Sequence, residues 1–156
     1  MQAWPLSGRA EELKAISDVL FGDGEYSGVA IAGAAGVGKT RLAREAVAAA
    51  SKLGWEVRWV AGTVAAQSIP LGAFTQWADR LNGHPLQLVG SVIAAVAATT
   101  SNAPVVVAVD DAHWLDNLSA FVMQQLVLRG AAKVIAIIRT GAPTPDAVTR
   151  TPDIAH

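Results

Sequence analysis

The chain has 156 residues, 52% of them hydrophobic and 16% charged, enough apolar material for a single core of ordinary domain size. It contains no cysteine, which excludes disulfides, cysteine-ligated zinc and thiol catalysis and fits a cytoplasmic location. A formal net charge of −1 gives no basic footprint for nucleic acid, and Met1-Gln2-Ala3-Trp4-Pro5 lacks the basic-then-apolar opening of a signal peptide.

Leu6-Ser7-Gly8-Arg9-Ala10-Glu11-Glu12-Leu13 reads as a helix start with Ser7 as N-cap. Leu13, Ile16 and Leu20 recur at helical spacing, and Phe21-Gly22-Asp23-Gly24 ends the run. Gly28 to Ala32 is a short apolar strand. It leads into Gly33-Ala34-Ala35-Gly36-Val37-Gly38-Lys39-Thr40, which fits G-x-x-x-x-G-K-[ST], the phosphate-binding loop of nucleoside-triphosphate-binding proteins. The residue types follow from the chemistry. Glycines let backbone N–H groups close around a phosphate, Lys39 supplies charge to the β- and γ-phosphates, and the Thr40 hydroxyl is placed to ligate Mg²⁺. Arg41 begins a run of helix formers to Ala50, so a helix N-terminus faces the bound phosphates.

Trp55 to Ala61 alternates like a strand, and Glu56 and Arg58 on one face mark it as less buried than its neighbours. Gly62 to Gly72 reads as loop, and Ala73 to Leu81 as a short helix with Phe74, Trp77 and Leu81 on one side. From Leu81 to Val109 there is no Asp, Glu, Lys or Arg, but the breaks at Gly83-His84-Pro85 and at residues 99–104 leave no run of about 20 apolar residues to span a bilayer. Leu86 to Thr99 reads as a helix. Val105 to Val109 is a β-branched run typical of a parallel strand buried on both faces, and it ends in Asp110-Asp111. Asp116 is the N-cap of a helix to about Arg129, stopped by Gly130. Lys133 to Ile138 is another buried strand and delivers Arg139; residues 140–156 read as irregular.

Strands alternating with helices predict an α/β fold with a parallel sheet and a ligand site at the carboxyl ends of the strands. The phosphate loop, the acid pair and Arg139 each follow such an end. An acid there can hold Mg²⁺ opposite Thr40, which makes Asp110 the metal residue and Asp111 the general base for water. The plainer alternative is a strand that happens to end in an acidic turn. Arg139 either meets a γ-phosphate or caps its strand in solvent. His113 has no second ligand at metal-binding spacing, and Trp114 reads as packing beside the site.

The order Gly8-Arg9-Ala10-Glu11-Glu12-Leu13, phosphate loop, Val109-Asp110-Asp111-Ala112-His113-Trp114-Leu115-Asp116 and Ile138-Arg139 resembles the ATPase module of STAND-class, AAA-like signalling ATPases. It is most similar to that of large LuxR-family transcriptional regulators, over roughly residues 6–140. The resemblance implies a three-layer P-loop NTPase sandwich in which the strands of Asp110 and Arg139 lie beside the loop strand, cut short before its last strand and helical lid. It implies that Gly8 and Arg9 lie near the adenine, and that Gly33 through Arg41 hold ATP or ADP with Mg²⁺ on Thr40 and Asp110. It further implies a weak ATPase whose ATP and ADP states act as a switch. Residues 141–156 would lead into domains the chain lacks, DNA contact would belong to those domains, and a homo-oligomer in the ATP state stays open. A stand-alone P-loop enzyme such as a small-molecule kinase is the alternative, with residues 62–85 as its acceptor pocket; a non-binding scaffold conflicts with the intact loop.

Overall fold

The computed structural model describes residues 3–22, 28–33, 38–78, 82–139 and 153–155, with side chains from residue 11 onward and backbone alone for the last three. Five parallel strands form one sheet: β1 (Gly28–Gly33), β2 (Glu56–Ala61), β3 (Val105–Asp110), β4 (Lys133–Arg139) and β5 (Asp153–Ala155). Their spatial order is β2-β3-β4-β1-β5. Strands β1, β3 and β4 arise from uninterrupted apolar runs, and side chains alternate between the two faces as the pleat requires. Val105, Val107 and Val109 enter one core, with α5 (Pro85–Ala97) and α6 (Asn117–Leu128). Val106 and Ala108 enter the other, with α1 (Ala3–Phe21) and α2 (Lys39–Lys52). The result is a three-layer α/β sandwich.

The sheet order refines one expectation and corrects another. Of the Asp110 and Arg139 strands, the Arg139 strand alone pairs with the loop strand, Gly33 opposite Arg139; the Asp110 strand lies one place further out. A fifth strand is present. β5 lies parallel to β1 inside the stretch read as irregular, with a register shift between Ala30 and Ile31. Three residues with no alternating pattern carry no local strand signal, so the free edge of β1 supplies the cause.

Ser7 is not an N-cap, because α1 already begins at Ala3; Pro5 falls in its first turn, where a missing N–H costs nothing. The loop expected from Gly62 to Gly72 contains α3 (Val64–Gln67) and leads into a 3-10 turn, Gly72–Phe74, that opens α4 (Thr75–Ala78). Leu81 lies outside the described residues. β2 is an edge strand with partly exposed faces, as its charges indicated. Arg58 there donates to the Val96 and Ala98 carbonyls at 3.2 and 2.7 Å, satisfying orphan acceptors at the end of α5. Among the described residues no helix is long and apolar enough to cross a membrane.

One carboxylate ties the small helices to the main body. Asp116 caps α6 by accepting from the Ser119 N–H at 3.1 Å, and the same oxygen accepts from the Leu71 N–H at 2.9 Å. Leu71 has a left-handed backbone, φ 60°, so this bond holds a turn that its own sequence disfavours. The other oxygen, Oδ1, is buried without a partner among the described residues. We expect Asp116→Ala to cost about 1–3 kcal/mol in urea unfolding, and Asp116→Asn to recover most of it because one amide oxygen can make both bonds.

Candidate functional site

At the carboxyl ends of β1, β3 and β4 the sequence brings three groups together. Lys39 opens α2, and its ammonium donates to the Gly33 carbonyl oxygen at 2.9 Å, across the mouth of the phosphate loop. Thr40, one residue on, points its hydroxyl at Asp110, donating to Oδ1 at 3.2 Å and lying 3.4 Å from Oδ2. Gly38 turns the chain into α2 with φ 86°, a left-handed conformation that a Cβ would strain. It offers no side-chain cap to the α2 N-terminus, the end of a helix where an anion is favoured. Ala34, Ala35, Gly36 and Val37 lie outside the described residues. Gly8 and Arg9 are placed on α1, but their side chains are not described, so their relation to an adenine stays an expectation.

Asp111 leaves β3 in a left-handed conformation, φ 50° and ψ 48°, and sends Ala112–Trp114 into a 3-10 turn. The strain of such a residue is about 1 kcal/mol or more and is least for Asp and Asn. Gly62 makes the turn possible. Its N–H donates to the Asp110 carbonyl at 2.8 Å, and a Cβ on it would overlap the Asp111 carbonyl oxygen. Asp111 is exposed, and with Lys39, Arg41, Arg44, Trp114 and Arg139 it lines an open cleft of about 720 Å³.

Four cationic side chains thus face one cleft in a chain of net charge −1, an arrangement suited to a polyphosphate. Burial pulls the Lys39 pKa below its ordinary value and Arg139 adds to this, while Asp111 and Asp110 oppose it. The donor set also fits Mg²⁺. A hydroxyl and a carboxylate are hard oxygen ligands, and Mg²⁺ takes few of them from protein when phosphates and water supply the rest. Thr40 and Asp110 are the residues that would hold the ion.

The structure brings Lys39, Thr40, Asp110, Asp111 and Arg139, all singled out in the sequence, together at the carboxyl ends of the strands. Three neighbours were given no part there. Arg44 stands one helical turn after Arg41, and its guanidinium lies 4.4 Å from the Trp59 ring centroid; the i, i+3 spacing could have signalled it. Gly62 carried no local signal, because its constraint comes from the turn after β3. His113, considered only as a metal ligand, is 4% exposed, and its Nδ1 accepts the backbone N–H of Arg139 at 3.3 Å. Trp114 packs beside it, ring centroids 5.3 Å apart.

A family model for the AAA ATPase domain matches residues 5–138. No curated protein matches the sequence significantly.

Burial is the main reason the His113 pKa lies below its ordinary 6.5; Asp111 and Asp110 pull it up, and Arg139 and Lys39 push it down. A depressed histidine binds its proton in the unfolded chain first. Its contribution to stability is therefore complete above about pH 6.5 and lost as pH falls through the lower folded value. Urea midpoints measured from about pH 8 to about pH 5.5 should fall on the acid side for the wild type and less so for His113→Gln.

Proposed function

The chain belongs to the AAA ATPase domain family, and on that premise we propose that it binds Mg-ATP as a slowly hydrolysing nucleotide switch, of the kind used by STAND-class signalling ATPases and large LuxR-family regulators. The observation that carries the reading is the Thr40–Asp110 contact, with Lys39 on the Gly33 carbonyl beside it. In this reading Lys39 meets the β- and γ-phosphates and the α2 N-terminus meets the β-phosphate. Arg139 reaches the γ-phosphate from the end of β4. Mg²⁺, when bound by Thr40 and Asp110, supplies Lewis-acid polarisation of phosphate oxygens. Asp111, in the same cleft, accepts the proton of the attacking water as its oxygen bonds to the γ-phosphorus and ADP departs.

The same geometry argues for slowness. Asp111 is one methylene shorter than a glutamate, so it reaches less far toward that water. A further arginine closing on the transition state is worth about 10³–10⁵ in rate. Arg139 sits at a strand end, placed to detect the γ-phosphate rather than to enclose it. A long-lived ATP state is what a signalling switch requires. Cytoplasmic location, DNA contact through domains outside this chain and self-association in the ATP state belong to the same proposal. A small-molecule kinase has less support, since the described lining of the cleft draws nothing from residues 62–78.

Lys39→Ala should weaken Mg-ATP binding roughly ten- to a hundredfold with the fold intact, since a charged hydrogen bond is worth about 1.5–3 kcal/mol. Calorimetric titration checks this, and equal dissociation constants would remove the assignment. The paired acids should separate in their effects. Asp110→Asn reduces the Mg²⁺ dependence of ATP binding, whereas Asp111→Asn leaves binding nearly intact and abolishes the slow loss of γ-phosphate in a single-turnover assay. Release within seconds by the wild type would favour the stand-alone enzyme.

A further inference from the structure

The β3–β4 ladder ends at Val109 opposite Ala136, yet β4 runs on to Arg139. A backbone N–H on the β3 side of that overhang has lost its strand partner and needs another acceptor. The partner is missing because Asp111 turns left-handed and takes the chain out of the sheet. Two residues later the same turn returns His113, whose buried Nδ1 accepts the Arg139 N–H. A side chain completes the ladder where the backbone has left it. On its other side Arg139 pairs in register with Gly33, the first residue of the phosphate loop. The root of the Arg139 side chain is thus fixed between the phosphate loop and the acid-bearing turn.

We propose that His113 is a positioning residue which, by holding the Arg139 amide to the turn after β3, sets the reach of the Arg139 guanidinium into the cleft and with it the preference for ATP over ADP. The inference rests on the nucleotide reading above. Using Nδ1 as acceptor puts the ring proton on Nε2 and requires a neutral imidazole. Burial favours that neutral form.

Calorimetric titration of Mg-ATP and of Mg-ADP into the protein and its variants tests it. The wild type prefers ATP. Arg139→Ala and His113→Ala each reduce that preference about tenfold, through ATP far more than ADP, and the double variant loses little more because both act through one contact. His113→Asn, whose amide oxygen can stand where Nδ1 stands, restores the preference; His113→Gln, whose amide reaches the Nε2 position, does not. Should His113→Ala prove too unstable to titrate, the contrast between Asn and Gln decides. Equal affinity of the wild type for both nucleotides, parallel loss of ATP and ADP affinity in His113→Ala, additive losses in the double variant, or Asn and Gln behaving alike would each overturn the inference while nucleotide binding stands. A wild type that binds neither nucleotide overturns the proposed function, and the inference with it.

Discussion

The hydroxyl of Thr40 meets the carboxylate of Asp110 across seventy residues of sequence, and the carboxyl side of the sheet is arranged around that meeting. β1 and β3 are not neighbours. β4 lies between them, so the two strand ends are roughly 10 Å apart. The chain spans that gap as it leaves β1, because α2 packs across β4, β3 and β2 as well as β1. A helix packs close against a sheet where its sheet-facing side is small. Ala43, Ala46 and Ala50 bury that side together with Leu42 and Val47.

The acid-bearing turn is held from three directions. Gly62 lies against its backbone at the end of β2, His113 ties it to β4, and Asp116 anchors its far end to α6 and to Leu71. None of these groups is itself one of the proposed phosphate or Mg²⁺ contacts. They determine where Asp110 and Asp111 stand, and all three act through hydrogen bonds to backbone groups. Chemistry at the strand ends is thus borne by residues whose own work is geometric.

What the sequence made legible was local. The apolar runs of β1, β3 and β4 announced buried strands, the Gly-Lys-Thr sequence announced the start of α2, and Asp116 announced its helix. What it hid was set by partners far along the chain. The turn at Leu71 depends on a carboxylate forty-five residues away. β5 exists because β1 had an open side, and the work of His113 depends on how far β4 outruns β3, a matter of register that no single segment encodes. Ser7 failed for a different reason. Capping preference is weak beside the propensity of a chain to continue a helix already under way.

The three residues of β5 have a significance beyond their length. Without them β1 would present Ala30 and Ile31 along a bare margin with no charge or proline to discourage company. Such a margin is a template on which another molecule can add a strand, and here it would be the strand that feeds the phosphate loop. The short cover keeps the loop's foundation from becoming a point of aggregation.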